Sequence, residues 1–280
     1  MEDITVYSLA CLSVCSVWLF KHKIISLFFT IITVTLGFYN DLISFNALII
    51  IAGYLIGAWA YFSNKIRYPY KALLWWMIFA LALLFSYHLV KGITNLQIIQ
   101  SEVISDEAYP FSLWFNLDTI IASLGILLFA TKTKPSKVSL SRVLFGFLSA
   151  IVVVALLAIS LDVVKLDIKL PEFWASWMIV NLLVSCVFEE VFFRYFVQGS
   201  LQKVLSSYNY GNLIALIIAT LLFTAKHFPG PPNYLVTVFM AGIFYGYIYK
   251  ITNRVEASIA LHFMINMLHF FLFSYPILKP

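Results

Sequence analysis

A succession of ten apolar segments constrains this 280-residue chain more than any other feature. They lie at about 4–20, 24–39, 42–62, 72–90, 112–130, 143–161, 173–197, 212–228, 233–250 and 257–275. A bilayer's hydrocarbon core takes about 20 apolar residues as a helix, and these runs are of spanning or near-spanning length. Hydrophobic residues make up 62% of the chain and charged residues 11%, with mean hydropathy +0.94. A water-soluble domain of this length has no use for so much apolar surface, so the bilayer is its solvent. The first run follows Glu2 and Asp3 rather than a basic region, and no small-residue cleavage site follows it. It therefore reads as a span rather than a signal peptide.

Charge placement orients these spans. With the N-terminus outside and ten crossings, the inner loops hold Lys21, Lys23, Lys65, Arg67, Lys71, Lys132, Lys134, Lys137, Arg142, Arg194, Lys203, Lys250 and Arg254. The outer loops hold only Lys91, Lys165, Lys169, Lys226 and Lys279. Most acids, among them Asp41, Glu102, Asp106, Glu107, Asp162, Asp167 and Glu172, fall outside. Both termini are expected outside the cytoplasm. The inner loops also account for the net charge of +5. No clustered basic face on a soluble domain is present, so nucleic acid is not an expected partner. Cys11, Cys15 and Cys186 are not spaced as zinc ligands.

The stretch Lys132-Thr-Lys-Pro-Ser-Lys137 marks an internal boundary, dividing an N-terminal bundle (1–138) from a C-terminal domain (139–280). The N-terminal part, rich in Phe, Ile and Leu, reads as scaffold with almost no polarity inside its spans. The connection at about 91–111 reads as an outer loop with a short surface helix. No internal repeat is evident.

Three polar patterns interrupt the C-terminal apolar runs: Glu189-Glu190-x-x-x-Arg194, Phe223-x-x-x-His227 and His262-x-x-x-Asn266. An ionisable side chain at a helix centre in a bilayer costs about 2.5–3.5 kcal/mol on insertion scales. Glu190 and Arg194, at i and i+4, can form an ion pair, while Glu189 points about 100° away. Desolvation suits Glu189 to acid–base work. Alternatively, both glutamates are balanced by basic groups and Arg194 snorkels to the interface. His227 precedes Pro229-Gly-Pro-Pro232, which ends its helix, and alone reads as a cap or core hydrogen-bonder. His262 and Asn266 share a helix face and alone read as an interhelical clamp. His269, further along, reads as structural. Together, a carboxylate, two histidines and an asparagine from three spans can activate water and hold an oxyanion.

In this order the three patterns resemble the CPBP family of intramembrane proteases, named for CAAX proteases and bacteriocin-processing enzymes and also called Abi. The resemblance covers about 172–275 and includes Gly242-Ile-Phe-Tyr-Gly246, similar to the glycine-bearing helix before the family's last motif. It implies an all-α polytopic membrane fold, here with about ten transmembrane helices, and a glutamate-dependent endopeptidase in the C-terminal half. It also implies that Glu189 and His227 activate water, that His262 and Asn266 form the oxyanion site, and that Glu190 with Arg194 holds the helix. Phe223 belongs to the second motif. Tyr195 stands where the family often has glycine after its arginine.

Other readings remain at this stage. Zinc could bind Glu189, His227 and His262, although there is no His-Glu-x-x-His helix; the expectation is no metal. Cys186, one turn before Glu189, could be a nucleophile, but reads as a small buried residue. A transporter or a non-catalytic bacteriocin-immunity protein would keep the same residues for relay or packing. The expected substrate is a membrane-anchored protein or peptide, and the expected place a bacterial cytoplasmic membrane. In simple topology His227 sits near the outer end of its span and Glu189 deeper. An unbroken helix over about 172–205 would bring them to one depth.

Overall fold

A computed structural model describes residues 2–20, 22–63, 65–130 and 134–279, with side chains from Ile4 onward. Lys21 and Lys132, placed above in inner loops, and the side chains of Glu2 and Asp3 lie outside the described residues. The described chain runs α1 (Glu2–Leu19), α2 (Lys23–Tyr39), α3 (Phe45–Phe62), α4 (Tyr70–Ser86), β1 (Leu96–Glu102), β2 (Phe111–Phe115), α5 (Leu117–Leu127) and α6 (Leu140–Ser160). It continues with α7 (Trp174–Val204), α8 (Gly211–Lys226), α9 (Pro232–Thr252) and α10 (Val255–Leu272). Among the described residues, five helices are long and apolar enough to cross a membrane: α3, α6, α7, α9 and α10. The other apolar helices are shorter, at 10–17 residues, with α1 counted from Ile4.

The chain is mostly helical rather than all-α, because β1 and β2 pair in a two-stranded sheet. This corrects two expectations. The loop expected to carry a surface helix carries β1 instead. The fifth apolar run is not one helix, since Phe111–Phe115 is a strand and only Leu117–Leu127 is helical. Eleven residues make a helix about 16 Å long, half the hydrocarbon thickness. A short apolar run bounded by polar residues does not distinguish strand from buried helix by periodicity alone. Every residue of α5 is buried, including Asp118.

The chain divides into two compact units. The first comprises residues 1–98, 114–132 and 183–188, and the second 99–113, 133–182 and 189–280.

The first unit is less apolar inside than expected. Ser13, Ser16, Ser26, Thr30 and Thr33 are buried. All but Ser26 bond backbone oxygens of their own helices and so cost little, as Ser13 Oγ does to Leu9 O (2.8 Å) and Thr33 Oγ1 to Phe29 O (2.8 Å). Small hydroxyl residues also let α1 and α2 approach, with Ser13 Oγ and Thr33 Oγ1 3.2 Å apart. At the start of α5, the buried Asp118 carboxylate accepts from His88 Nδ1 (2.8 Å) and Asn95 Nδ2 (3.1 Å).

The second unit holds α6, α8, α9, α10 and most of α7. Asn253 takes a left-handed conformation (φ 53°) at the end of α9, and α10 starts at Val255. This tight cap folds α10 back along α9. Trp177 of α7 stacks on Phe270 of α10, with centroids 4.0 Å apart. Beyond α10 the chain is extended. Phe273 pairs with Leu166, Leu278 with Ala108, and the Ser105 hydroxyl accepts from the Tyr275 backbone N–H at 3.0 Å.

Candidate active site

The helix α7 carries the glutamate pair. It continues from Trp174 to Val204, but Asn181–Cys186 and Glu190–Gln198 are π-helical. The wider π turn sets residues four apart nearly in line, and π segments in α-helices favour functional sites. Glu190, Arg194 and Gln198 thus form a fully buried polar row. Arg194 Nε donates to Glu190 Oε2 at 3.2 Å, and its guanidinium lies over the Phe223 ring at 5.0 Å. Arg194 is fully buried, so the snorkelling alternative and its placement in an inner loop are corrected. The ion pair and the ring of Phe223 hold it inside.

Glycines on α9 let the neighbouring elements close on this row. A Cβ on Gly242 would stand 2.9 Å from Thr220 Cγ2, 3.1 Å from Phe223 Cδ1 and 3.4 Å from Arg194 Nη2. A Cβ on Gly246 would stand 2.9 Å from Gln198 Oε1, while the Gln198 amide donates to Gly246 O at 2.9 Å.

His262, one turn beyond Ser258 on α10, sits between the two carboxylates. Its Nδ1 is 2.9 Å from Glu190 Oε1 and its Nε2 is 3.8 Å from Glu189 Oε2. A carboxylate only accepts, so Nδ1 carries the hydrogen. The Ser258 hydroxyl is shared between Glu190 Oε2 and the Tyr245 carbonyl. The Tyr245 ring stacks on the imidazole at 4.5 Å, with planes 16° apart. The histidine is therefore fixed by a carboxylate at its edge and an aromatic ring on its face.

His227 caps α8 just before the proline-rich break. Its Nδ1 donates to Phe223 O at 2.9 Å, which leaves the Nε2 lone pair free to accept. Asn266 donates from Nδ2 to Asn181 Oδ1 at 3.2 Å. His269 Nε2 donates to Ser274 O at 3.2 Å. The Glu189 carboxylate interacts electrostatically with Lys226, His227 and His262.

His227, His262, Asn266 and Tyr245 are among the residues lining a cavity of about 260 Å³. Its walls are otherwise largely apolar, built by residues such as Val154 and Ala158 of α6, Ala241 of α9 and Leu272 of α10. Glu189 is not part of this lining; it pairs with Lys226 and lies 3.8 Å from the lining residue His262. Cys186 is buried and in no disulfide. Among the described residues, no three His, Cys, Asp or Glu side chains are grouped so as to hold a metal ion.

Three neighbours escaped the sequence reading. Lys226, assigned above to an outer loop, is the last residue of α8, and its Nζ donates to Glu189 Oε1 at 2.7 Å. It directly precedes the motif histidine, and a lysine inside an apolar run was the available signal. Ser258 is one turn before His262, and Asn181 lies in an apolar helix. Both are uncharged and carry no comparable signal.

Residues 171–268 match the family model described as type II CAAX prenyl endopeptidase, Rce1-like. No curated protein and no solved structure matches the chain. The matched segment contains both glutamates, Arg194, Phe223, His227, His262 and Asn266, and over it the chain is similar to the CPBP/CAAX family of intramembrane proteases.

Proposed function

We propose that the protein is an endopeptidase that hydrolyses a peptide bond of a membrane-anchored protein or peptide, using water activated by Glu189 and His227. The observation that carries this reading is the grouping of Glu189 and Glu190 about His262, which together with His227 lines a largely apolar cavity. In the proposed step the cavity holds the substrate chain and water lies between Glu189 and His227. As the water oxygen bonds to the carbonyl carbon, its proton passes to the carboxylate or to His227 Nε2, and the carbonyl electron pair moves onto oxygen.

Asn266 has a second amide hydrogen besides the one given to Asn181, and this donates to the oxyanion. His262 donates there from Nε2 only as an imidazolium, because Nδ1 already carries a hydrogen. The Glu190 carboxylate at Nδ1 fixes the tautomer and orientation of that ring, much as an aspartate orients the histidine of a serine protease. Collapse of the intermediate breaks the C–N bond, and the leaving nitrogen takes the proton from the base. Side chains supply every group in this scheme, so no metal is called for. The proposed place is a bacterial cytoplasmic membrane, with both termini outside.

The test compares membrane-protein termini in cells carrying wild type or Glu189→Gln at matched abundance. New termini that appear only with the wild type support the reading. Identical termini, with both proteins folded, refute it and favour a non-catalytic immunity or transport role. Retention of cleavage by protein stripped of metal separates this scheme from a zinc-dependent one.

A further inference from the structure

Each glutamate of the adjacent pair has its own basic partner. Glu190 takes Arg194 on the same helix, and Glu189 takes Lys226 from the end of α8. The two pairs differ in geometry. Glu190 has both oxygens occupied, Oε1 by His262 and Oε2 by Arg194 and Ser258. Glu189 has Oε1 occupied by the Lys226 ammonium at 2.7 Å, while Oε2 lies 3.8 Å from His262 Nε2, beyond hydrogen-bond reach. One oxygen is anchored and the other is left toward the histidine.

We propose that Lys226 is a positioning residue for Glu189: its ammonium, held end-on at Oε1, keeps the carboxylate charged and oriented with Oε2 turned to the reacting water. The proposal rests on the hydrolytic role of Glu189 given above. Three observations support it. The Glu189 side chain is 8% exposed and that of Lys226 19%, so the pair is largely withdrawn from solvent. A buried carboxylate without a cation is strongly disfavoured and gives up its charge.

Lys226 is also fixed at its backbone. It is the last residue of α8, and the His227 backbone N–H bonds back to Thr224 O at 3.0 Å. Pro229 and Pro231 then keep α8 from continuing, and Pro232 opens α9. The same helix end therefore sets Lys226 on Glu189 and His227 on the cavity, two groups about 100° apart on one turn.

The third is the choice of side chain. Lysine is a point charge that can sit on one oxygen. Arginine is a planar fork that takes both oxygens of a carboxylate. The Lys226 ammonium takes Oε1 and leaves Oε2 toward His262, whereas an arginine fork can take both oxygens.

The test uses purified full-length protein in lipid nanodiscs and has two arms. Infrared difference spectra against Glu189→Gln isolate the Glu189 band without any substrate. Lys226→Met should convert that carboxylate band to a protonated carboxyl band at neutral pH. An unchanged band overturns the proposal.

The second arm measures cleavage of a peptide spanning the junction found by the terminal-peptide comparison. Misplacement of a reacting group by about 1 Å can cost about 100-fold. Lys226→Met should accordingly lower kcat by about 10- to 100-fold with little change in KM. Lys226→Arg should fold but not restore kcat. In a background with Cys11, Cys15 and Cys186 replaced, Lys226→Cys treated with 2-bromoethylamine regains an ammonium at similar reach and should recover most of the lost rate. Full activity in Lys226→Met, or full rescue by arginine, refutes the positioning role. No cleavage by the wild type itself refutes the hydrolytic reading instead, and the infrared arm still decides the pairing.

Discussion

His262 Nδ1 stands 2.9 Å from Glu190 Oε1, so the second glutamate of the pair orients a histidine as well as bracing its own helix. This joins α7 and α10 through one buried carboxylate. Ser258, a turn before the histidine, adds its hydroxyl to the other oxygen of the same group.

Ser258→Ala removes that hydroxyl without stranding a charge. A lost buried hydrogen bond to a charged group costs about 1.5–3 kcal/mol. Thermal unfolding in detergent should show a lower Tm. Cleavage should fall as well, because Glu190 then holds His262 less firmly. A variant with lowered Tm and unchanged kcat separates the stability role from the orienting one and removes Glu190 from the chemistry.

Arg194→Lys keeps the charge but loses the planar group over Phe223. The guanidinium bonds Glu190 through Nε and covers the ring at 5.0 Å, and an ammonium cannot do both. The expected loss is about 1–2 kcal/mol of stability, the range of a desolvated cation–π contact with its hydrogen bond. Phe223→Leu should destabilise in the same direction. The double variant should lose less than the sum, by about 0.5–1 kcal/mol, because both substitutions remove one contact. Strict additivity, read from unfolding midpoints, excludes the contact as a source of stability.

How far the sequence foretold this arrangement varied with the residue. Helices stand where nine of the ten apolar runs lie, because a long apolar run in a chain of this composition leaves few alternatives. The fifth run broke that logic, since the strand Phe111–Phe115 and the helix Leu117–Leu127 read as one stretch of hydropathy. Spacing alone pointed to Glu190 and Arg194 as neighbours, one turn apart. It carried no information on the contact of Glu190 with His262, which joins residues 72 positions apart and depends on how α7 and α10 pack. Lys226 was assigned by charge bias to a loop. Its position at a helix end, with Glu189 within reach of its four-carbon stem, is a tertiary property.

Gly242→Ala tests the close approach of α9 to the buried row. The added methyl meets Thr220 Cγ2, Phe223 Cδ1 and the Arg194 guanidinium at 2.9–3.4 Å, all side chains held by their own contacts. Overpacking of this kind costs about 1–3 kcal/mol. Thr220→Ser deletes the nearest carbon. The pair Gly242→Ala with Thr220→Ser should therefore recover part of the lost Tm. Recovery below measurement error places the strain at Phe223 or Arg194 instead.

The C-terminal segment after α10 is pinned by a group whose charge depends on pH. The Ser105 hydroxyl donates to Asp167 Oδ2 at 2.5 Å and accepts from the Tyr275 backbone N–H, so one serine links loop and tail. Lys169 adds its ammonium to Asp167 at 3.0 Å and to the Phe273 carbonyl. The Ser105 hydrogen bond, and then Lys169, hold the Asp167 carboxyl below the usual range. A depressed carboxyl stabilises the folded form fully above its unfolded value, about 3.9, and loses that contribution as pH falls through the folded value. Hydrogen-exchange protection of the Tyr275 amide should therefore be constant near neutrality and fall below about pH 4. Asp167→Asn should start from lower protection and lose this acid step. An acid step that persists unchanged in Asp167→Asn assigns it to another carboxylate, with Glu107, paired to Lys165 beside the same tail, as the group to replace next.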